Sequence, residues 1–304
     1  MRYAFIKELT KQVKKNKNVM LLTGDLGFSV FEDFKERFPN QFINVGVAES
    51  NMMGIATGLA MSGKIVFAYS IATFSTLTAF ESIRNDIALH NAHVIVVGSG
   101  AGMSYADAGA THHAIEDIAL IRTVPNFNIF SPADPTETTW ATETAITLKK
   151  PAYLRLGKRG EPVLYDKKPN LKFGKGSVLK AGNDFAIIST GNIVNNSLLA
   201  AHLLERKSLK GTVISMHTLK PIDEKLIKQI CLKFKHIFTV EEHYEIGGLG
   251  SIISDIIIKE KLPNKLIKIA LPNIFIREIG TQEFLRNKYG LSPEKIAKTI
   301  LKNI

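Results

Sequence analysis

An α/β fold of two consecutive domains, each a mostly parallel sheet flanked by helices, is the class this sequence predicts, and three observations predict it. Short, continuous apolar runs of strand length recur from Val19 to Ala270. Amphipathic stretches of helix length separate them, and strands alternating with helices give a parallel sheet covered on both faces. The alternation stops once, at Gly157-Lys158-Arg159-Gly160-Glu161-Pro162 and the lysine- and proline-containing stretch up to about Lys175, and then restarts. The expected division is a first domain over 1–165, a linker over 166–175 and a smaller second domain over 176–304.

Taken in order, Phe5 to Val13 follows the amphipathic period of a helix, and Val19–Thr23 is an apolar strand running into Gly24-Asp25-Leu26-Gly27. Phe42–Val47 reads as a short buried strand. From Ser50 the small and apolar residues fall into helical spacing, with glycines at 54 and 58 that let another backbone come close. Further strands are expected at Ile65–Tyr69, Val94–Gly98, Phe127–Phe130 and Ala152–Leu156, with helices at Phe74–His90, Ile115–Arg122 and Pro135–Leu148. The second domain repeats the alternation: strands at Phe185–Ser189, Thr212–Ser215, Ile237–Glu241 and Leu266–Ala270, helices at Val194–Arg206, Glu224–Phe234, Leu249–Lys261 and Pro293–Asn303.

The 304 residues suffice for two cores, and 45% hydrophobic content with a mean hydropathy of +0.06 fits a soluble globular protein. No apolar run approaches a membrane span and no leader pattern precedes the first helix, so a cytoplasmic location is expected. The net charge of +11 permits nucleic-acid or membrane binding. Its lysines, however, are dispersed along polar helix faces, as at Lys11, Lys14, Lys15 and Lys17, which favours a solvated surface. Cys231 is the single cysteine and lies in an apolar helical pattern, which leaves neither a disulfide nor a cysteine metal site.

In open parallel sheets ligands bind beyond the carboxyl ends of the strands, and Asp25, Glu49, Ser99 to His113 and Arg155 all fall there. Glu49 stands at a strand-to-helix junction, where an acidic residue is also favoured simply by the positive end of the helix dipole. Its neighbours carry more information. Gly46-Val47-Ala48-Glu49 followed by Met53-Gly54-Ile55-Ala56-Thr57-Gly58-Leu59-Ala60 resembles the pyrimidine-binding segment of transketolases and their thiamine-diphosphate-dependent relatives. In that family the glutamate contacts the aminopyrimidine ring of the cofactor and exchanges a proton with it, and the Asp25-Leu26 pair matches the same domain.

Phe74, Leu77 and Phe80 share one helix face, a spacing that core packing alone also produces. Together with Ala79-Phe80-Glu81-Ser82-Ile83-Arg84-Asn85 they resemble the transketolase helix whose aromatics hold the aminopyrimidine, with Leu77 where a third aromatic is common. Gly109-Ala110-Thr111-His112-His113 resembles the loop that places a histidine over the reacting carbonyl, by position His112, with His113 beside it. Ala108 stands where the family usually has an aspartate, so recognition of a substrate hydroxyl is lost or moved to Asp107. Arg2, Ser29 and Arg155 match positions that hold a sugar phosphate, whereas Gly100 falls where a further phosphate-binding histidine is usual. For an isolated arginine a surface ion pair is the competing explanation.

Gly247-Gly248-Leu249-Gly250 follows Glu241-Glu242-His243 at a strand-to-helix junction, and tight turn packing is expected there rather than a phosphate cradle, since the full dinucleotide fingerprint is absent. This region resembles the carboxy-terminal domain of transketolases, associated with subunit assembly. No asparagine-bearing Mg²⁺ loop follows Gly24-Asp25-Leu26-Gly27, so the resemblance covers the last two of three transketolase domains. It implies the carboxy-terminal subunit of a split enzyme that moves a two-carbon ketol unit between sugars or sugar phosphates. The implied assembly is a homodimer of this chain within a heterotetramer, sharing thiamine diphosphate with an amino-terminal subunit that holds the Mg²⁺. A beta-type subunit of a 2-oxo-acid dehydrogenase, half of a deoxyxylulose phosphate synthase, and a non-enzymatic scaffold are the rival readings.

Overall fold

The computed structural model of the protein describes residues 1–304. Its first sheet contains β1 (Val19–Thr23), β2 (Phe42–Asn44), β3 (Ile65–Ile71), β4 (Val94–Ser99), β5 (Asn128–Phe130) and β6 (Ala152–Leu156). Residues in β1, β4 and β6 are buried along their whole length, which is why they read as unbroken apolar runs rather than alternating ones. The period of two is still present. Met20, Leu22, Val94 and Val96 face one apolar cluster, while Val19, Leu21, Ile95 and Val97 face another on the opposite side.

The second half contributes β7 (Ser177–Lys180), β8 (Phe185–Ser189), β9 (Gly211–Ser215), β10 (Thr218–Lys220), β11 (His236–Tyr244) and β12 (Lys265–Leu271). Four of these form the second sheet with β7, in the order β12-β11-β8-β9-β7, with only β7 antiparallel. β10 departs from the expected division. It crosses over and pairs antiparallel with β5, so the first sheet has seven strands in the order β10-β5-β6-β4-β3-β1-β2. Three-residue β5 would otherwise be an open edge, and Lys220 Nζ secures the crossover on the carbonyls of Arg122 and Val124 at 2.9 and 2.5 Å. One apolar cluster runs from Met20 and Val96 through Ile121 to Ile188, Ile214 and Leu249, joining the two halves. No helix is long and apolar enough to cross a membrane.

Other elements differ in detail. The strand expected to reach Val47 ends at Asn44, and the following helix is Glu49–Met61, so Glu49 is its first residue. The stretch expected as one helix over Phe74–His90 contains two π-type segments, Phe74–Thr78 and Ile83–Ala88, around Phe80–Ser82. Short helices at Glu32–Arg37 and Gln282–Lys288 carry no periodic signal strong enough to announce them. Cys231 is buried, and burial pushes its thiol up to about 11.

Tight packing is what the glycine turn at 247–250 provides. The amides of Leu249 and Gly250 donate to the two carboxylate oxygens of Glu241 at 2.7 and 2.8 Å, so the chain itself caps this helix. A Cβ at position 248 would stand 2.0 Å from Glu241 Oε2. Gly248→Ala is therefore expected to dislodge the carboxylate and lower stability by about 1–3 kcal/mol, the range for an unsatisfied buried group. Urea unfolding checks this, and an unchanged midpoint would contradict it.

Candidate active site

In the first sheet the chain leaves β1 towards β2 on one side and returns to β3 on the other, so the crevice beyond the carboxyl ends of β1 and β3 is a topological switch point. Glu49 sits in it. The residue is 7% exposed, and its Oε1 accepts the hydroxyl of Ser70 on β3 at 2.7 Å. A Cβ on Gly24, just past β1, would come within 3.2 Å of the same oxygen. No donor of the chain reaches Oε2.

Phe74 follows β3 and is half-buried, and its ring meets that of His112 edge-on with centroids 5.2 Å apart. Leu77 is exposed and Phe80 packs against the core next to the Glu49–Met61 helix. The Thr111 hydroxyl and His112 Nδ1 lie 3.0 Å apart. His113 points inward at 3% exposure with neither ring nitrogen hydrogen-bonded, and burial holds it below the ordinary histidine range, with Glu242 opposing.

Asp25 closes the β1 end of the crevice with φ +57°, its amide and carboxylate both bonded to Asn44 at 3.1 and 2.8 Å. Leu26 folds back so that its amide and carbonyl both meet Thr23 Oγ1. Ser29 stands apart from this group, with its amide on Glu32 and its carbonyl near the Tyr3 hydroxyl. Arg2 Nε donates to the Lys158 carbonyl at 2.6 Å, which brings it to the edge of the site.

Arg155 corrects the expected anion anchor. It is 2% exposed: Nε donates to Asp117 Oδ2 at 2.7 Å, and Nη2 to the carbonyls of Ala114 and Glu242. The Tyr153 hydroxyl completes the cluster on Asp117 Oδ2 at 2.7 Å. A guanidinium held in this way joins the two domains, with Nε and Nη2 both bonded inside the chain.

Lys158, three residues on, is the cation that the sequence reading overlooked. Its Nζ lies 3.0 Å from Asp107 Oδ1 and 4.2 Å from the Tyr105 ring centroid, and that ring lies 6.1 Å from His112. Lys158 holds the Asp107 carboxyl below its usual range. Gly100 explains the arrangement: at φ +78°, its missing side chain leaves the space taken by Tyr105, whose Cε2 would lie 2.0 Å from a Cβ. A glycine in place of an expected histidine was the available signal that another group fills that space.

The loop carrying His112 is held from the second domain. Glu242 Oε1 accepts the Met103 amide at 2.5 Å and Gln282 Nε2 at 2.7 Å, and Oε2 accepts Arg286 Nε at 2.5 Å.

Comparison with known proteins agrees with this geometry. Residues 1–161 match the model of the transketolase pyrimidine-binding domain and residues 174–296 that of the transketolase C-terminal domain. A putative transketolase C-terminal section from Methanocaldococcus jannaschii is 37% identical over 100% of this chain and 96% of its own. An apulose-4-phosphate transketolase subunit from Phocaeicola vulgatus is 33% identical over 99% of this chain and 96% of its own. A solved split-gene transketolase, described as an inactive β4 tetramer, superposes with a TM-score of 0.91 at 36% identity, covering 99% of this chain and 97% of that one.

Proposed function

The chain belongs to the transketolase family, and on that premise we propose that it is the carboxy-terminal subunit of a split transketolase, transferring a two-carbon ketol unit from a ketose to an aldehyde. The observation that carries the proposal is Glu49: a nearly buried carboxylate at the switch point, fixed through one oxygen by Ser70 with the other free. Beside it, half-buried Phe74 offers a flat apolar wall. This set fits the aminopyrimidine half of thiamine diphosphate. Mg²⁺ and the diphosphate are assigned to a separate amino-terminal subunit, since the domains this chain matches are the pyrimidine-binding and the carboxy-terminal ones.

Bound cofactor would supply the carbanion chemistry of the transfer. Glu49 would hold and exchange a proton at the pyrimidine nitrogen, Phe74 and Phe80 with Leu77 would orient the ring, and His112 would face the substrate carbonyl. Lys158 and Arg2 offer cationic groups at the rim for a phosphorylated sugar, and Asp107 a hydroxyl acceptor. With Ala108 and Tyr105 reshaping that rim, the best donor is expected to be a sugar other than xylulose phosphate. A panel of ketose donors and aldehyde acceptors with the assembled enzyme tests this, and ordinary pentose phosphates emerging as the best pair would contradict it.

Dependence on another chain has its own support. Gly54 and Gly58 are exposed on the Glu49–Met61 helix, and a Cβ at either would meet nothing within 4 Å. Glycine in a helix interior is unfavourable by about 1 kcal/mol relative to alanine, and no contact inside this chain requires it. Gly58→Leu is expected to melt no lower than wild type yet fail to assemble with the amino-terminal subunit on gel filtration. A variant that assembles normally would remove this face from the interface.

A further inference from the structure

The rule that located Glu49 applies a second time. In the second sheet the chain leaves β8 for β9 on one side and then crosses to β11 on the other, so a switch-point crevice opens beyond the carboxyl ends of β8 and β11. The structure has a cleft of about 320 Å³ there, between the Gly160 turn, the start of the Val194–Glu205 helix and the Gln282–Lys288 helix. Two of its lining residues are more than nine-tenths buried and incompletely bonded. Arg286, 8% exposed, uses Nε on Glu242 but leaves Nη2 without a partner, and Asn192, 8% exposed, leaves Oδ1 without one.

Such groups are stabilised by a ligand that pairs with them, because a buried polar group without a partner is unfavourable. Asn192 is held in place by Nδ2 on Ser104 Oγ at 3.2 Å, and Gln282 shares that hydroxyl at 3.3 Å. Exposed Arg159 adds a second guanidinium with no hydrogen bond or ion pair inside the chain. The Pro293–Asn303 helix also starts on this cleft, so two helix amino termini border it. Glu161 lines it too, but its carboxylate is met by the Met1 amino group at 2.8 Å, and Glu283 lies exposed at the rim. Leu199 is the apolar exception, which disfavours an acyl chain or a nucleobase.

We propose that this cleft binds a small phosphorylated polyol, with its phosphate on Arg286 and Arg159 and its hydroxyls on Asn192, Asn196 and Gln282. The site borders the rim that carries Asp107 and Lys158, with which it shares Arg159, Gln282 and Glu283, and contains neither Glu49 nor His112. It is linked to the Glu49 crevice through Glu242, which Arg286 and Gln282 hold and which in turn holds the Met103 amide.

Calorimetry on the full chain tests this with glycerol 3-phosphate as the probe, and inorganic phosphate and glycerol as controls. One molecule should bind per chain, more tightly than phosphate, and glycerol should not bind measurably. Arg159→Glu and Asn196→Asp, both checked for a wild-type melting curve, should each weaken binding by about tenfold or more, the scale of one charge-assisted hydrogen bond. His112→Ala should leave it unchanged. No saturable binding, phosphate equal to glycerol 3-phosphate, or loss in His112→Ala with retention in both cleft variants would each overturn the proposal, the last by placing the anion in the Glu49 crevice.

Discussion

Glu49→Gln is expected to leave a folded, assembled protein whose transfer activity falls by about 10²–10⁴-fold, the contribution of a positioned general acid–base group. The amide keeps an oxygen that can accept the Ser70 hydroxyl, now at 2.7 Å, so the local geometry survives. What it loses is a carboxyl proton to exchange. Were Glu49 only a first-turn acid on the dipole of the Glu49–Met61 helix, the change would cost about 0.3–1 kcal/mol of stability and leave turnover almost intact. Melting temperature, assembly with the amino-terminal subunit and turnover, measured side by side, separate the two. Near-normal turnover in an assembled, cofactor-loaded variant would end the catalytic assignment.

Arg155→Leu should act on the fold rather than on substrate. Removing one member of a buried ion pair leaves the other charge uncompensated, and losses of about 3–5 kcal/mol are typical. Here the stranded group is Asp117, which is fully buried and would retain only the Tyr153 hydroxyl of its two side-chain donors. Two carbonyls, of Ala114 and Glu242, would lose their donor as well. Denaturant unfolding should show the loss in the chain by itself. A stable variant with a raised KM for phosphorylated sugars would instead restore Arg155 as an anion anchor.

Strands buried on both faces were the most legible feature, because Val94–Ser99 or Ala152–Leu156 can hardly be anything else. β7 and β10 were hidden for the opposite reason: each is short, and Val178 on β7 is half exposed. Glu49 was legible because a junction acid coincided with a recognisable run of small residues. In Arg155-Leu156-Gly157-Lys158 either cation fits an anion site on paper. A strand enclosed on both sides gives no alternation to show which way a side chain turns, and only the position of Asp117 decides it. Glu242 was invisible as a clamp since its partners Met103, Gln282 and Arg286 are far away in sequence.

The crossing of β10 bears on how the two halves came to travel together. A ribosome that has released the whole of the first domain has not yet released Thr218–Lys220, so β5 emerges with a bare edge and waits for strand-forming residues made much later. Cutting the gene at the linker would make that waiting permanent. A fragment ending near residue 165 should be caught by other copies of itself along Asn128–Phe130, whereas a cut that keeps residues 166–220 would tear β8 from its neighbour β11. Each half thus depends on the other for a covered edge, so a gene rearrangement that breaks between them is expected to cost both folds.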